Sequence, residues 1–164
     1  MRRKDREITG RENIEPILRA CKPCRVAMIA DGAPYVVPLN FGYTWDDDGL
    51  TLYFHSGLKG KKIDALRADP RVCFELDTEQ GVTGEGDIAC RYSFAFSSIV
   101  GYGSMEFAKT PDEKRKGFDI IMQHQTGRSG FVYNDASLSV AEVFHVRADS
   151  FEASRKTLRP RKPE

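Results

Sequence analysis

A two-residue turn between two β-rich segments is the feature that most restricts the fold of this chain. The segment CRVAMIA is followed by Asp31-Gly32 and then by PYVVPLNFGYTW. Asp-Gly between such segments is typical of a tight turn that joins antiparallel strands, so the pattern predicts a β-hairpin. Because Pro38 has no backbone N–H, we expect its strand to lie at a sheet edge or to be bulged there.

Further strands follow the hairpin. Four segments predict them: LTLYFHS, RVCFELD, YSFAFSSIVGYGSMEFA and VAEVFHVRADSFEAS. Residues 78–87 are rich in glycine and acidic residues and indicate a mobile loop. Six strands joined mostly by short connections predict a mainly β fold, an antiparallel barrel with α-helices packed outside it.

Three helices accompany these strands. Apolar spacing predicts a leading helix over about 11–21, with Thr9 or Asn13 as its cap. The sequence GLKGKKIDALRADP predicts a loop and then a helix that Pro70 terminates. Thr110 before a proline and acidic residues marks the start of a further helix, which should end at Gly127. We expect a single domain over 1–164, with the barrel over about 24–154 and a basic, solvated tail over about 155–164.

Composition excludes several classes of protein. The 164 residues carry a net charge of +1, so no overall field favours nucleic acid. No apolar run is long enough for a membrane span or an export signal, and we expect a cytoplasmic protein. The four cysteines are expected to be reduced thiols, and neither Cys21-Lys22-Pro23-Cys24 nor the acidic turn Asp46 to Gly49 completes a metal site. We expect structural roles for His124 and His145.

One segment concentrates groups that bind phosphate. It runs from His55 to Lys62, follows a strand and opens a helix, and brings an imidazole, a hydroxyl, glycine amides and three ammonium groups to one helix N-terminus. Free N–H groups, the helix dipole and lysines together attract an anion. A solvated basic loop is the alternative interpretation. The spacing of a Walker loop is absent, which disfavours a P-loop protein.

The ordered set PYVVPLNFGY, LYFHSGLKGKKID and SSIVGYGSMEF resembles the FMN-binding split-barrel proteins of the pyridoxamine 5′-phosphate oxidase-like kind, especially their nitroimidazole-resistance reductase branch. The resemblance runs from about Cys24 to about Val146. It implies a six-stranded antiparallel split β-barrel and a homodimer with FMN at the subunit interface.

The resemblance also implies a set of site residues. The strand with Val37, Pro38, Leu39 and Asn40 would lie along the flavin ring. Phe54, His55 and Ser56, with Lys61 and Lys62, would hold the phosphate. Ser97 and Ser98 would approach the same flavin from the other subunit. The oxidase commonly has Arg-Lys where this chain has Lys61-Lys62, which lacks the guanidinium fork. The chain also lacks the oxidase's Trp- and Arg-containing tail, so oxidation of pyridoxamine phosphate is not expected.

Two functions remain open from the sequence. The first is a flavin-dependent reductase that takes electrons from NAD(P)H and reduces a small electron-poor acceptor, a nitroaromatic compound or a quinone. The second is a non-catalytic flavin- or haem-binding module on the same scaffold. His55 is the candidate catalytic residue as a proton donor, and its alternatives are contact with the phosphate or the flavin ring, a local structural hydrogen bond, or haem ligation.

Overall fold

The described part of the chain, residues 3–157 of a computed structural model, is built mainly of β-strands. The strands are β1 Glu7–Ile8, β2 Pro23–Ala30, β3 Ala33–Asp46, β4 Gly49–Gly57, β5 Arg71–Thr83, β6 Ser93–Phe107 and β7 Ala141–Lys156. The helices are α1 Arg11–Ala20, α2 Lys61–Ala68, α3 Pro111–Thr126 and α4 Asp135–Ser139, with two short 3₁₀ turns at Lys4–Arg6 and Ala89–Arg91. Residues 158–164, most of the predicted basic tail, lie outside the described residues.

The strands pair antiparallel in the order β1-β7-β4-β3-β2-β5-β6, and β7 also pairs with β6. This confirms the predicted class, a mainly β antiparallel split barrel with helices. The sequence missed β1, which has only two residues, and α4. Within residues 3–157, every helix falls short of the length and apolarity that a membrane crossing requires.

The described residues form two compact units. The first comprises the described residues of Met1–Cys21, Leu76–Val100 and Glu152–Glu164. In it, α1 buries Ile14, Ile17 and Leu18 along one face, which confirms the leading helix. Neither predicted cap is correct, because the N-cap of α1 is Gly10, with no side-chain cap hydrogen bond, and the Asn13 side chain donates to the Thr9 carbonyl.

The predicted tail boundary also differs from the structure. Strand β7 continues through Arg155 and Lys156. The Arg155 guanidinium donates hydrogen bonds to the hydroxyl of Ser97 and the carbonyl of Asn13, and Lys156 contacts the hydroxyl of Ser93. These two basic residues therefore belong to the first unit and are half-buried.

The second unit comprises Lys22–Glu75 and Gly101–Phe151. Its β4 shows the alternation of a half-buried strand, since Leu50, Leu52 and Phe54 are buried while the intervening residues are more exposed. Phe54 is fully buried and its ring stacks on Phe144 of β7, with 6.0 Å between centroids. This aromatic pair is part of the core of the second unit.

Local signals predicted both ends of α3 in the second unit. The Thr110 hydroxyl accepts a hydrogen bond from the Glu113 amide, and the Glu113 carboxylate accepts one from the Thr110 amide, which completes a capping box for α3. Gly127 ends that helix with a left-handed backbone, as predicted. The loop predicted over residues 78–87 is wrong in its first half, because β5 extends to Thr83.

Candidate functional site

The candidate site lies at a fork between β3 and β4. The two strands pair from Phe41↔Phe54 to Asp46↔Gly49 and then separate. On one side of the separation, Ala33–Asn40 of β3 pairs with β2. On the other side, His55, Ser56 and Gly57 of β4 pair with β7. Each arm therefore has one edge that no strand of the described chain covers, and we call this region the fork.

The β3 arm confirms that Pro38 lies on an edge. Pro38 is opposite Arg25 of β2, and β4 has already left β3 at this level. Pro38 and Asn40 are exposed, whereas Leu39 points into the core and is 8% exposed. The uncovered edge offers backbone groups to a planar ligand, and an edge is where a strand tolerates proline, which has no N–H to donate.

The β4 arm leads directly into α2. The N-cap of α2 is Gly60, which provides no side-chain cap, and the first intrahelical hydrogen bonds come from Ile63 and Asp64 to the Gly60 carbonyl. The amides of Lys61 and Lys62 precede those bonds at the positive end of the helix. The helix start is therefore chemically suited to an anion, and it lies next to His55 and Ser56 in the chain.

The two predicted phosphate lysines do not share one environment. Lys62 is half-buried and is close enough to His55 to influence its titration. Lys61 instead forms an ion pair with Asp31, at 3.0 Å, and lies over the Tyr35 ring. Lys62 is thus the lysine that the structure groups with the β4 arm.

His55 lies on the β4 arm and is exposed, and its ring packs against Phe118 of α3 with 5.4 Å between centroids. Partial burial, followed by the charge of Lys62, lowers the pKa of His55 below its ordinary value of 6.5. The imidazole is consequently neutral at neutral pH and can donate one hydrogen bond and accept another. Its proposed role as a proton donor stays a prediction.

Two aromatic residues that the sequence did not predict for the site, Phe118 and Tyr133, pack in series against the His55 ring. Phe118 stacks in turn on Tyr133, with 5.6 Å between centroids. Burial, followed by the neighbouring Asp119 carboxylate, raises the pKa of Tyr133 to about 12, so the phenol keeps its proton. Phe118 stands at helical spacing within α3, but nothing in the sequence pairs it with a strand residue.

Gln125 is a second residue that sequence reasoning missed. Its amide donates to the carbonyls of Lys22 and Phe41, and its carbonyl oxygen lies 3.5 Å from the amide nitrogen of Asn40. Lys22 completes the link by donating to the His124 carbonyl. The end of α3 is therefore fastened to β3 where the fork opens.

Ser97 and Ser98 belong to the first unit. The Ser97 hydroxyl is buried and accepts hydrogen bonds from Gln80 at 3.1 Å and from Arg155 at 3.2 Å. The Ser98 hydroxyl is 3.1 Å from that of Ser154. Their proposed approach to a flavin of the other subunit stays a prediction.

The remaining candidates have ordinary structural roles. All four cysteines are free thiols, as expected. The ring of His124 packs on Phe41 and Tyr43, and that of His145 stacks on Tyr53. Over residues 3–157, no group of histidine, cysteine and acidic side chains is arranged to hold a metal ion.

A family model described as pyridoxamine 5′-phosphate oxidase matches residues 10–156, which is most of the chain. The chain belongs to the pyridoxamine 5′-phosphate oxidase family. The fork, the proline on its edge and α2 all lie within the matched region. This confirms the resemblance drawn from the sequence motifs.

Solved structures place this family member among split barrels. One neighbour, from Bacteroides thetaiotaomicron, is provisionally described as a 5-nitroimidazole antibiotic resistance protein; it is 33% identical, with a TM-score of 0.78 over 91% of this chain and 86% of that chain. A flavocytochrome from Azotobacter vinelandii is 18% identical, with a TM-score of 0.79 over 100% of this chain and 75% of that chain. An FAD-binding protein from Mesorhizobium loti is 24% identical, with a TM-score of 0.60 over 91% of this chain and 96% of that chain. The last two establish the shared fold.

One curated relative matches part of the chain. It is an uncharacterised protein of Rhizobium meliloti (strain 1021), 30% identical over 69 residues. The match spans 42% of this chain and 42% of that protein.

Proposed function

We propose that the protein is a cytoplasmic flavin-dependent reductase whose cofactor lies in the fork. The observation that carries the proposal is the fork itself, where an uncovered strand edge meets an uncapped helix start beside Lys62. When bound, the flavin would accept a hydride from NAD(P)H and pass two electrons to a nitroaromatic compound or a quinone, with protons drawn from solvent. Membership of the oxidase family and the likeness to the Bacteroides protein support this reading.

The donor set of the fork fits a flavin phosphate. The amides of Lys61 and Lys62 lie at the positive end of α2, and the Lys62 ammonium adds a full charge. His55 can donate a hydrogen bond as a neutral imidazole, and Ser56 offers a hydroxyl. The exposed edge at Pro38 and Asn40 offers carbonyl and amide groups to the polar side of the ring. FMN and FAD share this phosphate and this ring.

We also propose a homodimer with the flavin between subunits. The fork is open on the side away from β2 and β7, so a second chain is needed to exclude water from the ring. Ser97 and Ser98 of the other copy remain the residues proposed to complete the site. The test is whether flavin addition shifts the sedimentation of the protein to that of a dimer, and a flavin-loaded monomer would contradict it.

The first experiment is the visible absorption spectrum of the purified protein before and after flavin addition and removal of free flavin. Retained flavin bands that bleach with NADPH and return with a nitroaromatic acceptor support the reductase. Retained flavin that NADPH does not reduce supports a non-catalytic module. A Soret band would replace flavin with haem as the cofactor.

Replacing Lys62 with alanine should weaken FMN binding by about tenfold or more, because a hydrogen bond between charged groups is lost. Flavin fluorescence quenching on titration with protein measures the change. Riboflavin, which lacks the phosphate, should bind the variant as it binds the original protein. Lys109→Ala, an exposed lysine outside the fork, is the matched control. Equal loss for riboflavin and FMN would contradict the phosphate assignment.

Binding of FAD should strengthen as the pH falls below 6.5, because burial and the charge of Lys62 lower the pKa of His55 from that value in the unliganded protein. Without ligand, His55 is neutral at neutral pH, and the phosphate would favour its cationic form. Binding therefore takes up a proton on the acid side of 6.5, and His55→Gln should remove that slope. The effect of His55 on folding has the opposite sign. Its pKa is lower in the folded protein than in the unfolded chain, so the unfolded chain takes up the proton first as the pH falls below 6.5, and the stability of the folded protein decreases. An FAD affinity independent of pH would contradict a His55 contact.

A further inference from the structure

The first unit contains a polar side chain at a position where its strand otherwise faces the core. Alternation along β6 directs Ala95, Ser97 and Ile99 inward, and all three are buried. Ser97 is the polar member of this row and is 2% exposed. Burying a hydroxyl costs stability unless it is hydrogen-bonded, so its partners show what the position is used for.

The neighbouring strands supply hydrogen-bond donors to Ser97 from both sides. Strand β6 pairs with β5 and with β7. From β5 the Gln80 amide donates to the Ser97 hydroxyl at 3.1 Å, and from β7 the Arg155 guanidinium donates to it at 3.2 Å. Gln80 is exposed and Arg155 is half-buried, so the groups around the buried hydroxyl can be reached from solvent.

Two cations of this cluster have neutral partners. Arg155 donates through Nε to Ser97 and through Nη2 to the Asn13 carbonyl, and the Lys156 ammonium contacts the hydroxyl of Ser93. Over residues 3–157, neither cation forms an ion pair with a carboxylate. The Nη1 group of the guanidinium carries further N–H donors and has no hydrogen-bond partner in the described part of the chain.

A purely structural role accounts for part of the cluster. The bond from Arg155 to the Asn13 carbonyl holds the start of α1 against β7. It does not account for the second donor to Ser97, or for the uncompensated charge of Lys156 next to Arg155 in the chain. An excess of donors over acceptors, together with positive charge, is what an oxyanion requires of its site.

We propose that this cluster binds the phosphate group of a small organic phosphate and that its residues are distinct from those of the fork. Arg155 provides planar N–H donors that phosphate oxygens accept, Lys156 adds a second positive charge, and Gln80 adds an amide. Two cations without a carboxylate match the charge of a phosphate monoester better than the single charge of a carboxylate. All of these residues belong to the first unit, so the proposal does not depend on the flavin site.

The test is an NMR titration of the full chain, without flavin, with inorganic phosphate at mildly alkaline pH and with chloride at equal ionic strength. The reporters are the Arg155 Nε–H signal and the Gln80 side-chain amide signals, assigned by their loss in Arg155→Lys and Gln80→Met. Both should shift and saturate with phosphate, and neither should do so with chloride. Acetate should bind about tenfold more weakly than phosphate, because it carries less charge.

Variants that leave the bonds of Arg155 to Ser97 and α1 in place test the other members of the cluster. Lys156→Met should weaken phosphate binding at the Arg155 signal by about tenfold, because a hydrogen bond between charged groups is lost. Gln80→Met should weaken it by roughly threefold, since only a neutral donor is removed. Lys109→Met, which removes an exposed charge in the second unit, is the matched control and should leave the affinity unchanged.

Lys62→Ala separates this site from the fork, which also attracts phosphate in the proposal above. The Arg155 signal should respond to phosphate equally in that variant and in the original protein, and loss of the response would overturn the present inference. So would shifts that do not saturate, that chloride or acetate produce equally, or that Lys156→Met leaves unchanged. The flavin site stands or falls separately, because FMN binding by the same Lys62→Ala variant tests it.

Discussion

Replacing Gly42 with alanine should lower the stability of the protein by about 3 kcal/mol, the upper part of the range for overpacked sites. A β-carbon at Gly42 would lie 2.4 Å from the Ile120 carbonyl oxygen and 2.7 Å from the Ile121 α-carbon. Both are backbone atoms of α3, so no side-chain rotation relieves the clash and the helix must move. Thermal unfolding should show a midpoint lower by roughly 10 °C.

Gly57→Ala is the matched control for this change. A β-carbon there meets no atom within 4 Å, and its backbone is not in the left-handed region. The substitution should be neutral or slightly stabilising. Because α3 carries Phe118, the Gly42 variant should also alter the surroundings of His55, visible as a shifted pKa of the imidazole by NMR. Equal melting midpoints for the two variants would show that α3 does not lie on β3 at this point.

The sequence predicted those elements whose signals are local. The Asp31-Gly32 turn, the edge position of Pro38 and the capping box at Thr110 each depend on residues a few positions apart, where backbone preferences act directly. The end of strand β5 was not predicted from local signals. Its glycine-rich end reads as a loop, but pairing within the sheet outweighs weak strand propensity.

The candidate site was predicted in its chain positions but not in its contacts. His55, Ser56 and the start of α2 are adjacent in sequence, so their proximity could be read directly. The ion pair of Lys61 with Asp31 and the packing of Phe118 on His55 join distant segments. No local pattern encodes such contacts, because they arise only when β4, α2 and α3 pack together.

Phe54 illustrates the same limit, since the resemblance placed it among the residues that hold the phosphate. Its side chain is fully buried, opposite Phe41 of β3 and Phe144 of β7. Strand alternation directs Phe54 into the core and its neighbour His55 outward. Phe54 can therefore serve the site through its backbone and through the rigidity of the strand, and not by side-chain contact with a cofactor.

Phe54→Ala should accordingly destabilise the protein by about 3–5 kcal/mol, as expected for removing a buried aromatic ring. Urea unfolding measures this loss, and Phe54→Leu should cost much less because it keeps most of the volume. Under conditions where the alanine variant is still folded, its affinity for flavin should match that of the original protein, because only the core has lost atoms. A small loss of stability with a large loss of flavin affinity would instead place the Phe54 ring at the cofactor, which would mean that β4 faces the opposite way from the alternation described above.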